Sequence, residues 1–189
     1  IDYQASLNSP SLLDSINLEM KLARSYALSG DYTTALGIYD ELYYRTNDEN
    51  TRALIDLRKG GAYSALGRTD EATSTYMDAI NNYPTSYSSY LALIELVDAG
   101  VVVDEYTRGI VDYYAGQYGV ALAAFDRYLQ NNPDDPASAL YYYGLTTSAL
   151  GGYEEAIEYW DEIITNYSEH DRWDDAWEEK GFTQWYNLS

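Results

Sequence analysis

The sequence predicts an all-α solenoid of about ten antiparallel helices, and three observations lead there. Four stretches share one pattern: SGDYTTALGIYDELY (29–43), LGRTDEATSTYMDAI (66–80), AGQYGVALAAFDRYL (115–129) and LGGYEEAIEYWDEII (150–164). Each reads glycine, one spacer, an aromatic or Thr, two spacers, Ala, then an aromatic four positions later. The glycines, Gly30, Gly67, Gly116 and Gly151, are spaced by 37, 49 and 35 residues, close to the ~34-residue period of helix-turn-helix arrays. The one long spacing exceeds that period by about 15 residues, the length of a single extra helix.

The elements follow in chain order. Repeat one, about 16–49, carries Ala23 and Tyr26 on its first helix and Ala35, Tyr39 and Leu42 on its second. Repeat two, about 53–86, has Gly60 and Tyr63, then Ala72, Tyr76 and Ala79, closed by Pro84. The extra helix is expected near 85–98: Pro84 precedes it, Thr85 or Ser86 caps it, Tyr90, Leu91, Ile94 and Leu96 supply an apolar face, and Gly100 stops it. Repeat three, about 102–135, has Gly109, Ala121, Phe125 and Pro133; repeat four, about 137–170, has Gly144, Ala156, Trp160 and Ile163. Residues 171–189 read as a half-repeat, because WDDAWEEKGFTQWY (173–186) places Trp177 and Gly181 as a first helix would. At the other end IDYQASL (1–7) loosely resembles the opening of a second helix. The simplest domain reading is one continuous solenoid over 1–189.

The pattern has a physical basis. Gly60, Gly109, Gly144, Ala35, Ala72, Ala121 and Ala156 fall where two helices cross, and larger side chains there would push the axes beyond the ~8–10 Å of close packing. Aromatics fill the space on either side. A glycine at each turn adopts positive φ and lets the chain fold back antiparallel.

These residues resemble the tetratricopeptide repeat, whose signature is Trp-Leu-Gly-Tyr on the first helix and Ala-Phe/Tyr-Ala-Pro on the second. The resemblance covers roughly residues 16–170 and implies a right-handed superhelix that binds partners on its inner face. Carried over position by position, that face comprises Met20, Arg24, Ala27 and Leu28, then Leu57, Gly61 and Ser64. In the later repeats it comprises Tyr106, Ile110, Tyr113 and Tyr114, then Tyr141, Leu145 and Ser148. Family members that clamp a peptide carboxylate line this face with Lys, Arg and Asn; here Arg24 stands nearly alone, and the tyrosines suit an apolar helix, a sugar face or inter-repeat core. The middle segment, SSYLALIELVDAG (88–100) with VDEYTRGIVDYYAGQYGVALAAF (103–125), also resembles the helical superhelix region of bacterial soluble lytic transglycosylases. Their catalytic Glu lies in a separate domain that nothing here resembles, so the resemblance implies a cell-envelope setting and no activity.

Composition narrows the function classes. The chain carries 11 basic and 31 acidic residues, a net charge of -20; nucleic acid is set aside as a partner because phosphate contacts need clustered Lys and Arg. Residues 154–179 hold eleven carboxylates against Arg172 alone, which reads as a solvated face or as a cation-binding one. There is no Cys, hence neither a disulfide nor a thiolate metal site. The single histidine, His170, has no second ligand or nucleophile to work with and reads as a surface residue. Glu154/Glu158 and Asp174/Glu178 are solvated i,i+4 neighbours rather than a catalytic pair. No Gly-rich phosphate loop and no membrane span are present. No catalytic, cofactor or metal residue is assigned, and the chain reads as a non-enzyme.

An opening at Ile1, three Lys and abundant Tyr, Ser, Thr and Asn suggest an exported protein, secreted, cell-surface or periplasmic. Asn166-Tyr167-Ser168 and Asn187-Leu188-Ser189 fit the glycosylation acceptor pattern. The expected function is protein–protein contact through head-to-tail self-association into a fibre or array. In that arrangement Trp177, Phe182 and Trp185 of one copy are covered by the Ile1, Tyr3 and Leu7 segment of the next, since an uncapped terminal repeat exposes apolar surface. The alternative is a groove-binding scaffold within a larger envelope protein such as a lytic transglycosylase.

Overall fold

Short polar caps and isolated glycines set the helix boundaries. The computed structural model describes residues 12–131 and 133–188, with side chains from Ser15 onward. Among the described residues there are ten α-helices and no strand: α1 (Leu12–Leu28), α2 (Tyr32–Arg45), α3 (Glu49–Ala65), α4 (Thr69–Asn82), α5 (Tyr87–Asp98), α6 (Glu105–Tyr114), α7 (Tyr118–Gln130), α8 (Pro136–Ala149), α9 (Tyr153–Asn166) and α10 (Arg172–Tyr186). They fall into two compact units that divide between Val102 and Val103. In the first, α1 packs on α2, α2 on α3, α3 on α4, and α5 on both α3 and α4; in the second, α6 to α10 pack each on the next. Both units are all-α among the described residues, each built from helices packed on their neighbours in sequence.

Asp31, Asp48, Asp104 and Asp135 each accept a hydrogen bond from the backbone N–H three residues on, at 3.1, 2.7, 2.8 and 3.0 Å. Each satisfies an otherwise unpaired amide in a first turn. The other end is closed by one recurring turn, clearest at Gly67. There φ is +72°, a conformation that a Cβ would penalise, and it lets Arg68 N–H reach back to Tyr63 C=O at 2.9 Å. Gly30, Gly100, Gly116 and Gly151 adopt the same positive φ, so every predicted turn glycine occupies its place, including the one that stops the extra helix.

That extra helix, α5, is where the structure corrects the expected face. Ser86 caps it, accepting from Ser88 N–H, but the buried residues are Ser89, Ala92, Leu93 and Leu96, and Ile94 is exposed. The spacing i, i+3, i+4, i+7 is an ordinary helical stripe, rotated from the predicted one because it includes a serine. The single Ser89 Oγ–H, fully buried, is shared between the carbonyls of Ala79 and Tyr83, 2.9 and 2.7 Å away. It thereby satisfies the end of α4, and an apolarity count could not see this.

The crossing positions behave as their size dictates. Ala23, Ala35, Ala121 and Ala156 are fully buried, as are Tyr39, Phe125 and Trp160 beside them. Each large ring contributes ~1.5–3 kcal/mol of burial before ordering costs.

Candidate interaction surfaces

Across the repeats, a glycine on the first helix receives an aromatic ring from the second, 16 residues later. A Cβ placed on Gly60 would clash with the ring edge of Tyr76, one on Gly109 with that of Phe125, and one on Gly144 with the indole of Trp160. In repeat one Ala23 takes this place in the cluster that buries Tyr39. The fourth such glycine, Gly181 on α10, has nothing among the described residues within 4 Å of its Cβ position.

Around Gly181, α10 presents its aromatics to solvent: Trp177 is 46% exposed, Phe182 53% and Trp185 73%. Phe182 stacks on Tyr186 at 5.3 Å, Trp185 lies 6.4 Å from the same ring, and Lys180 sits over Trp177 while pairing with Asp161. The opposite side of α10 is anchored: Ala176 and Thr183 are buried, and Trp173 Nε1–H donates to Ile164 C=O at 3.1 Å. The three predicted α10 residues therefore share one open region. Their expected counterparts Ile1, Tyr3 and Leu7 lie outside the described residues.

The predicted groove residues of the second unit divide between packing and surface. Ile110 is buried; Tyr106 packs on Phe125 and Tyr128; Leu145 joins the core of α8 and α9. Tyr113 and Tyr114 meet edge to face, and Tyr114 is 45% exposed. Tyr141 lies under the Arg172 guanidinium, 4.9 Å from its centroid. The centre of this cluster is Tyr142, which contacts the rings of Tyr106, Tyr113, Tyr114, Phe125 and Tyr141. Sequence reasoning passed over it, although its place in the run Tyr141-Tyr142-Tyr143 was a signal. Burial pushes the Tyr106, Tyr113, Tyr141 and Tyr142 phenols up, so they act as neutral donors and ring surfaces.

In the first unit, a cavity of about 280 Å³ opens between α1, α2 and α3, with Arg24 and Arg58 at its rim and Ala27, Leu28, Leu57 and Tyr39 among its walls. Burial raises the Tyr39 phenol, and both guanidiniums pull against that rise. Neither arginine makes an ion pair among the described residues. The sequence reading had Arg24 nearly alone; the fold brings Arg58 beside it, one turn of α3 away from Gly61.

His170 is more than a surface residue. It is half-buried, with Nε2 3.1 Å from Asp135 and Nδ1 accepting Arg172 N–H at 3.0 Å, which ties the α7–α8 loop to the start of α10. Among the described residues, no cluster of three His, Cys, Asp or Glu could hold a metal, and no helix is long and apolar enough to cross a membrane. Asn166 is exposed, Asn187 half-buried.

Models of the tetratricopeptide repeat match residues 56–86 and 106–171, together just over half of the chain. No curated protein matches the sequence. Among solved structures, the complex of the TPR2AB domain of yeast Sti1 with pHSP90 is 18% identical, with a TM-score of 0.41 over 96% of this chain and 74% of that one. A putative kinesin light chain of Podospora anserina with nearly identical TPR-like repeats is 15% identical, with a TM-score of 0.38 over 91% and 86%. BtubC (BKLC) from P. vanneervenii is 17% identical, with a TM-score of 0.36 over 92% and 72%. None of the three lends a function to this molecule. The matched stretches coincide with α3–α4 and α6–α9, where the glycine-to-aromatic register is most regular, and the chain belongs to the tetratricopeptide repeat family.

Proposed function

We propose that this protein is an interaction scaffold that associates with further copies of itself, head to tail, through α10. The observation that carries the reading is Gly181. Its three register equivalents each hold an aromatic ring from another helix, whereas Gly181 lies open between exposed Trp177 and Phe182. A second-type helix bringing an aromatic to Gly181 would continue packing already made three times in the molecule. In the self-associating form the cover is the Ile1–Leu13 segment of the next copy, and a contact of this heterologous kind propagates as a filament when its rotation does not close. Three Lys and a Tyr-, Ser- and Asn-rich composition support an extracytoplasmic setting. Intact mass of the native protein tests glycan occupancy at Asn166. Sedimentation velocity is the test of assembly: the parent should form concentration-dependent high-mass species, which Phe182→Asp or deletion of residues 1–13 abolishes with helicity retained. A parent that stays monomeric at high concentration removes the reading.

The second reading is a groove-binding region of a larger envelope protein, favoured by the Arg24 and Arg58 pair. Two guanidiniums without carboxylate partners, in a chain with 31 acidic residues, suit an acidic segment of a partner. Arg58→Ala should then weaken partner capture while leaving self-association unchanged.

A further inference from the structure

Within each helix, α7, α8 and α9 repeat the register of α2, α3 and α4, with two residues fewer between the α7 and α8 registers, and the space between the two second helices is built from matching positions. Tyr43 corresponds to Leu129, Arg52 to Pro136, Asp56 to Leu140, Asp78 to Glu162 and Tyr83 to Tyr167. In the first unit this space is closed from within. The Tyr43 and Tyr83 hydroxyls meet at 2.7 Å, and the Arg52 guanidinium lies over the Tyr43 ring at 5.2 Å, with Lys59 at 5.7 Å.

In the second unit the same space is open. Leu129 lacks the reach of the tyrosine it replaces, Pro136 brings no cation, and Tyr143, at the place of Lys59, packs at a tilt against Tyr159 at 4.4 Å. What remains is a notch of about 470 Å³, with Leu129, Pro133, Pro136 and Leu140 on one side and Tyr159, Glu162 and Tyr167 on the other. No cation lines it. Glu162 is exposed and makes no ion pair among the described residues, whereas neighbouring Asp161 pairs with Lys180 and Asp135 is engaged by His170.

We propose that this notch receives an arginine side chain of a partner protein. The apolar wall suits the methylene stem. Tyr159 and Tyr167 bring aromatic rings to its wall, and Glu162 brings a carboxylate with no ion-pair partner among the described residues. A planar guanidinium stacks and pairs at once, where a compact ammonium would do one or the other. The partner's arginine takes the part that Arg52 plays from within the first unit. Charge complementarity runs the same way, because α9 also carries Glu154, Glu155 and Glu158 on a chain of net charge -20. This inference does not depend on association through α10.

The test is fluorescence anisotropy of the full chain with a labelled, blocked peptide Gly-Leu-Arg-Leu-Gly, against the same peptide with citrulline, which keeps the shape and removes the charge. The parent should bind the arginine peptide roughly tenfold more tightly than the citrulline peptide. Leu129→Tyr, which fills the notch as Tyr43 fills its counterpart, leaves the net charge unchanged and should abolish the difference. Pro136→Arg should also compete the peptide out from within, and it decides the matter if Leu129→Tyr fails a helicity check. Glu162→Gln should weaken binding severalfold. Equal binding by Leu129→Tyr and Pro136→Arg would show diffuse attraction to an acidic surface and overturn the proposal. Equal affinity for the two peptides would mean apolar docking only, and no binding at all, or self-association lost in Leu129→Tyr without peptide binding, would overturn it too.

Discussion

The two units use one helical register to opposite ends. Between α2, α3 and α4 the first unit turns its polar groups inward: Tyr43 meets Tyr83, Lys59 pairs with Asp40 at 2.7 Å, and Asp56 is buried with Oδ2 lacking any hydrogen bond. Between α7, α8 and α9 the second unit has Leu140 in place of Asp56 and leaves an aromatic notch open to solvent. The helical register is shared, although α8 begins three positions later in it than α3 does, so the difference rests on a few side chains and on that later helix start. A closed, internally charged joint is a structural element, and an open apolar one with an unanswered carboxylate is a surface for a partner.

The largest expected break is at the ring that anchors the second unit. Trp160 is fully buried against Gly144, and Trp160→Ala should destabilise by ~3–5 kcal/mol, read by denaturant unfolding.

The next sharpens the contrast through pH. Burial pushes the Asp56 carboxyl up to about 7, with Asp78 and Asp40 adding repulsion and Lys59 and Arg52 opposing it. Its unfolded value is ~3.9, so between those values the native state holds a proton that the unfolded chain has lost. The Asp56 contribution to stability is therefore fully present below pH ~4, declines as pH rises toward 7, and is flat above that. Asp56→Leu, the second unit's own residue, should remove this dependence and raise stability at pH 8 by roughly 2–3 kcal/mol, the ~4 kcal/mol of a rise from ~3.9 to about 7 reduced for solvent screening. Parallel pH profiles of parent and variant melts would contradict it. In the second unit, burial likewise raises Asp112, to about 6, against Arg108 and Arg127, so the variant should retain a smaller slope.

A third change tests the shared register. Ala121→Leu should overpack the α6–α7 crossing at a cost of ~1–3 kcal/mol; a melt equal to the parent's would mean that the register is misplaced. The smallest effect is at the open end. Gly181→Ala meets no neighbour and should gain up to ~1 kcal/mol from helix propensity, while the same change at Gly144 meets Trp160 and should destabilise.

Most of the fold was legible because its determinants are local. A positive-φ glycine and a small-to-aromatic spacing each act within one repeat, so four copies marked the helix pairs and the extra helix, while the Asp caps that start four of the helices emerged only with the structure. The rotated face of α5 was not legible, because Ser89 is buried by hydrogen bonds to carbonyls of another helix. Nor was the pairing of Arg24 with Arg58, or the opening of the notch at Leu129, since each depends on which side chains two separate helices bring together. Of the predicted groove, Tyr114 is surface, but Ile110 and Tyr106 serve packing, and the hub residue Tyr142 was signalled only by its place in a run of three tyrosines, which does not say which of them turns inward.

The chain has no cysteine, so Gly181→Cys supplies a single attachment point for a photo-crosslinker at the open socket of α10. Irradiation followed by mass spectrometry identifies what covers that position. The account predicts covalent dimers whose cross-link maps to residues 1–13 of the second copy, suppressed by Phe182→Asp. Exclusively monomeric product across the concentration range, or cross-links scattered over the surface, would contradict it.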